Sequence, residues 1–94
     1  MAVVIVNQMA RGTQDIYDQV TAKVMPSGEL PEGCQAHIAG PAEGGWRVIT
    51  VWDSDEQFHQ FRDQTLIPAI EEVAGDEAIA PSIEADPVYR FVTA

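Results

Sequence analysis

The chain has 94 residues and a net charge of −10, from 15 acidic and 5 basic side chains. So acidic a surface repels phosphate backbones and anionic lipid headgroups, which argues against nucleic-acid and membrane partners. The length fits one domain over 1–94, whose thin core would gain burial by association with another subunit.

Residues 2–9, AVVIVNQM, are a β-branched run and predict strand one, buried on both faces over Val3 to Val6. The run is too short and too poor in basic residues to be a signal peptide, and no apolar stretch approaches the length that spans a bilayer. Thr13 is placed to cap a helix over about 14–25, with Ile16, Val20 and Val24 as its apolar stripe and Tyr17 alongside. Residues 26–33 hold two prolines and two glycines and predict a loop. Cys34 is the single cysteine, which excludes an intrachain disulfide and fits a reducing, cytoplasmic setting.

Strand two is predicted at about 34–39 and strand three at 46–52, WRVITVW, with Gly40-Pro41 and Gly44-Gly45 bracketing the turn of a hairpin. In strand three Val48, Thr50 and Trp52 point one way, Ile49 and Val51 the other. Both faces are largely apolar, so neither is built for water. Ser54-Asp55-Glu56-Gln57 is a capping box, in which the glutamine side chain reaches back over the helix start. Its helix is predicted to run to about residue 65 with Phe58 and Phe61 inward. Pro68 then interrupts it, and a second helix with Leu66, Ile70 and Val73 as its stripe ends at Gly75. A polar stretch at 75–82 leads to a last strand, placed at 88–93 because Pro87 breaks the segment before it.

The element order β-α-β-β-α-β defines an α+β, ferredoxin-like protomer with a four-stranded antiparallel sheet and helices on one face. A second copy of the chain is the economical cover for the other face, so a homodimer is expected.

The segment GGWRVITVWDSDEQFHQFRDQTLIPAIEE (44–72) resembles the third strand and following helices of dimeric α+β barrel proteins of the antibiotic biosynthesis monooxygenase-like group. The Trp52-x-Ser54 step and the Phe58-x-x-Phe61 pair carry most of the resemblance, and Asn7 and HIAGP (37–41) extend it over nearly the whole chain. It implies a small-molecule enzyme, cofactor-independent and monooxygenase-like, acting on an apolar or aromatic metabolite. Some members degrade haem, with an Asn on strand one and a Trp and a His on the helices. Asn7 matches the first of these. Phe61 stands where the Trp is expected and Glu71 where the His is, so the iron ligand is missing.

From the residues themselves, His37 is a candidate general base and Asn7 a candidate partner for a substrate oxygen. Otherwise they are, in turn, a histidine satisfied in the core and a hydrogen bond at a strand end. Trp52 either stacks on an aromatic ligand or packs the core. Phe61 and Glu71 are the other candidate substrate-binding residues, Glu71 from the shoulder of the last helical stripe, where a carboxylate is otherwise solvated. His59 is expected to pair with Asp63 four residues on. No spacing supports a metal site, and no cofactor fingerprint is present. The alternative function is a non-catalytic dimeric ligand-binding or scaffold domain. A sheet–helix cleft of roughly 300 Å³ or more holding His37 and Asn7 would favour the enzyme, a filled core the scaffold.

Overall fold

The computed structural model describes residues 1–75 and 82–94. The chain forms β1 (Val3–Ala10), α1 (Gln14–Val24), β2 (Cys34–Ala42), β3 (Gly45–Trp52), α2 (Asp55–Phe61), a π-helical turn (Arg62–Leu66), α3 (Ile67–Ala74) and β4 (Ser82–Pro87). The sheet order is β2-β3-β1-β4, antiparallel throughout. This is the ferredoxin-like α+β arrangement expected from the element order.

Local chemistry sets the helix starts. Thr13 accepts a hydrogen bond from the Ile16 amide at 3.2 Å. Ser54 accepts one from the Gln57 amide at 3.2 Å and donates to the Gln57 Oε1 at 3.1 Å. The glutamine of the capping box thus takes the serine hydroxyl proton instead of a backbone N–H. Gly33 closes the loop before β2. Its φ of +88° belongs to glycine, and a Cβ there would stand 2.6 Å from the Gln57 side-chain amide. The loop can therefore lie directly against α2.

Three sequence expectations shift. The hairpin turn is Glu43-Gly44 alone, and β2 runs on through Gly40 and Pro41, whose partner is Trp46. A proline is tolerated there because β2 is an edge strand. The last strand lies before Pro87 rather than after it. Pro87 is its final residue, opposite Val3 on an edge strand, and the next amide, Val88, donates to the Ala2 carbonyl at 2.9 Å, so the missing N–H falls at a position that makes no bond to β1. The lead-in to that strand, 76–81, lies outside the described residues.

The third shift concerns Pro68. The chain stays helical from Asp55 to Ala74, and the proline sits in the first turn of α3. The turn before it widens: the Ile67 amide donates to the Arg62 carbonyl five residues back. This expansion lets a helix pass a residue that lacks an N–H and crowds the carbonyl four positions earlier. It also explains His59. Asp63 lies in the widened turn and bonds Arg62, while His59 pairs with Asp55 at 3.0 Å inside regular α2.

The helices cover one sheet face. Ile5, Trp52 and Phe58 form one buried cluster, with Phe61 and Ile83 packed against it. Val20, Ala69 and Ile70 form a second between α1 and α3. On the opposite face the register aligns Ile38, Ile49 and Val6 in a row across β2, β3 and β1. Ile38 is 64% exposed there.

Trp52, 1% exposed, donates its indole N–H to the Thr50 hydroxyl at 2.8 Å. Thr50→Val keeps the shape and leaves that N–H buried without an acceptor, and is expected to cost about 1–3 kcal/mol. Urea denaturation measures it, and an unchanged stability would show that the bond is not what holds the indole.

Candidate active site

Between the two apolar clusters lies a cavity of about 60 Å³. Alternation along the strands brings three sets of side chains to it: Ile5, Asn7 and Met9 from β1, Val48, Thr50 and Trp52 from β3, and His37 from β2. Tyr17 and Val20 enter from α1, and Phe58, Phe61, Leu66 and Ile70 from the other helical layer. Its lining is apolar but for a few groups.

Those few groups are placed by the sheet. His37 stands opposite Thr50, which stands opposite Ile5. Asn7 stands opposite Val48, two residues along β3 from Thr50. His37 and Asn7 therefore share a face on strands either side of β3, about 10 Å apart sideways. A group that touches both has the breadth of fused rings.

His37 Nε2 lies 2.6 Å from the Tyr17 hydroxyl. Burial lowers the His37 pKa from its ordinary 6.5, which keeps the imidazole neutral at pH 7. The bond can run in either sense: the Tyr17 O–H donates to Nε2 when the ring proton is on Nδ1, and Nε2–H donates to the Tyr17 oxygen in the other tautomer. The Tyr17 ring also packs on Trp46, centroids 5.4 Å apart. Asn7 is 7% exposed and its Oδ1 has no hydrogen-bond partner. A buried acceptor left unpaired costs about 1–3 kcal/mol, a cost that a ligand O–H or N–H offered to it would relieve.

Of the residues singled out from sequence, His37, Asn7, Trp52 and Phe61 meet in this cavity. Trp52 combines both of its readings: it is a core residue, and one side of it is cavity wall. Glu71 is exposed on α3 and is not among the lining residues. The sequence offers Tyr17 and Tyr89 as candidates by residue type alone, and spacing chooses neither. For Tyr17 the position next to Ile16 in the α1 stripe was the available signal, since an inward tyrosine needs a partner for its hydroxyl. Tyr89, the other tyrosine, is 99% exposed. Cys34 also lines the cavity, but desolvation raises its thiol pKa and Sγ donates to the Ala36 carbonyl, so it is an inert wall.

Haem is the cofactor that this fold could hold, and the residues do not fit it. The chain has two histidines. His59 is tied to Asp55 on an exposed helix face, and His37 Nε2 is engaged by Tyr17.

No family model matches the chain, and no curated protein matches it in sequence. Solved structures do match in fold. Rv0793 from Mycobacterium tuberculosis is 14% identical, with 99% of this chain and 100% of that one covered and a TM-score of 0.67. SnoaB, a cofactor-independent oxygenase from Streptomyces nogalater, is 12% identical over 99% and 97% of the chains, TM-score 0.63. The haem-degrader MhuD from Mycobacterium tuberculosis, with two haems in its active site, is 24% identical over 97% and 99%, TM-score 0.58. The chain thus shares the α+β, ferredoxin-like fold of these structures over its full length, the fold that the resemblance over 44–72 implied. Identities this low carry the fold and no chemistry.

The buried imidazole has a consequence for stability. The unfolded chain protonates His37 at its ordinary 6.5, the folded chain only at lower pH. Between those two values the unfolded state holds more protons, so stability falls as pH drops below 6.5. His37→Gln is expected to remove this part of the acid sensitivity. Parallel urea midpoints for wild type and variant between pH 7 and 5 would contradict it.

Proposed function

We propose that the chain is a small-molecule enzyme of the cofactor-independent monooxygenase kind, acting on an apolar, fused-ring phenol in the cytoplasm. The observation that carries this reading is the Tyr17–His37 hydrogen bond at the wall of an apolar cavity. A neutral imidazole accepts a proton, and a tyrosine hydroxyl between it and a substrate passes one on. The Asn7 amide stands two strands away to hold a substrate oxygen.

The chemistry asks little else of the protein. Deprotonating a hydroxylated anthrone gives an electron-rich enolate that reduces dioxygen directly. The ring CH₂ becomes a carbonyl, keeping one oxygen atom, and the other leaves as water. The apolar walls keep bulk water from re-protonating the enolate. The unpaired Cys34 thiol suits a reducing compartment, and among the described residues no helix is long and apolar enough to cross a membrane.

With a hydroxylated anthrone and an oxygen electrode, His37→Ala is expected to lower kcat about 10²–10⁴-fold. Tyr17→Phe should lower it at least about tenfold, with KM little changed in both. Turnover equal to wild type in both variants would remove the proposal. The cavity volume of about 60 Å³ favours the competing reading, a non-catalytic ligand-binding or scaffold domain. Absence of both oxygen uptake and ligand binding in the wild type would establish that reading.

The homodimer belongs to the same proposal. The row Ile38, Ile49 and Val6 is an apolar sheet face that a second copy would cover. Light scattering at micromolar concentration is expected to give twice the chain mass, and Ile38→Lys a monomer. A wild-type monomer would end the idea.

A further inference from the structure

A second, open cleft of about 420 Å³ lies outside the cavity, between the loop before β2 and the helical layer. Its polar lining comes from Gln57, Gln60, Gln64 and Thr65, together with Glu32. The two spaces share two walls, Pro31 and Phe61. With Phe61 in place the inner space is smaller than an aromatic ligand, which enters only where that ring moves aside. Joined across Phe61, the two fall within the roughly 300–1,000 Å³ of ligand sites.

The π turn produces this partition. Phe61 and Leu66, five residues apart, both line the inner cavity. In a regular α-helix that spacing points two side chains well away from each other. The widened turn lets Phe61 and Leu66 share the cavity, while Gln57, Gln60, Phe61 and Gln64, at the i, i+3, i+4, i+7 spacing of one helix face, line the outer cleft. Phe61 is a half-buried ring edged against Trp52, centroids 5.3 Å apart, so one side of it belongs to the core and the other to the cleft.

The chemistry of the outer lining selects its occupant. Side-chain amides and a threonine hydroxyl both donate and accept, which suits a surface of hydroxyl groups. The cleft has no lysine or arginine, its one charge is the Glu32 carboxylate, and the chain carries −10. An anionic group is repelled there.

We propose that the outer cleft is a second subsite, for an uncharged polyhydroxylated substituent such as a sugar, carried by the aromatic compound whose rings displace Phe61 and enter the inner cavity. The proposal rests on the reading of the inner cavity as a site for aromatic rings. The occupant is a glycosylated or similarly hydroxylated aromatic metabolite. Gln60 and Gln64 are exposed, so replacing them leaves the core intact.

Calorimetric titration with three probes tests it: 2-naphthol, 2-naphthyl β-glucoside and 2-naphthyl sulfate. The glucoside is expected to bind at least about tenfold more tightly than naphthol and than the sulfate, a factor that corresponds to about 1.4 kcal/mol. In the Gln60→Ala/Gln64→Ala double variant the glucoside should lose that advantage, with naphthol affinity unchanged. Naphthol binding with no gain for the glucoside would overturn the second subsite and leave the inner site standing. Sulfate binding as tight as that of the glucoside would overturn the selectivity. No binding of any probe would remove the aromatic site and this inference with it.

Discussion

The helices and the sheet meet through two apolar clusters that do not merge. Ile5, Trp52 and Phe58 gather under β1, β3 and α2, and Val20, Ala69 and Ile70 gather between α1 and α3. Polar side chains stand in the gap. Tyr17 and His37 satisfy each other across it, and Thr50 satisfies the Trp52 indole. The Trp52–Thr50 pair is fully enclosed, so either member alone would be a buried group without a partner, while the Tyr17–His37 pair is half-buried. A core divided this way gives up apolar burial at its centre and gains a fixed polar wall, which is what a site for small molecules requires.

The helical layer follows from how one residue is accommodated. Pro68 could have ended the helix, and the layer would then have been two separate pieces. The widened turn keeps Asp55–Ala74 continuous, so α3 still reaches α1 and the Lys23–Glu72 ion pair of 2.9 Å can form at the surface. An exposed pair of this kind adds little stability. Its presence does mark how closely α3 is held against α1 after the wide turn.

Periodicity exposed most of the fold. The β-branched run at the start, the Ile16, Val20 and Val24 spacing, and the alternation of 46–52 each depend on neighbours in sequence, and each is found in place. The strand after 82 was misplaced, because a proline signals the end of pairing without telling on which side the strand lies. The π turn was hidden for a similar reason. Residues 62–67, RDQTLI, contain no breaker, and only the carbonyl geometry ahead of Pro68 reveals how the helix accommodates it. Within the site, His37 and Asn7 were legible as polar residues on apolar strands. Tyr17 was not, since its partner lies twenty positions away and is chosen by packing. Glu71 shows the limit of reading a helical stripe: the shoulder position it occupies faces out.

Trp46 has a side effect on how the molecule interacts with light. Its indole is half-buried, its enclosed N–H has no partner, and its ring rests on Tyr17, which in turn bonds His37. Trp52 is sealed against Phe58 and Phe61 on the other side of the gap. The chain therefore carries two fluorophores in unlike surroundings, one shielded among hydrocarbon rings and one against the hydrogen-bonded Tyr17–His37 pair. The two indoles thus report on different parts of the interior, Trp46 on the Tyr17–His37 side and Trp52 on the packing of Phe58 and Phe61.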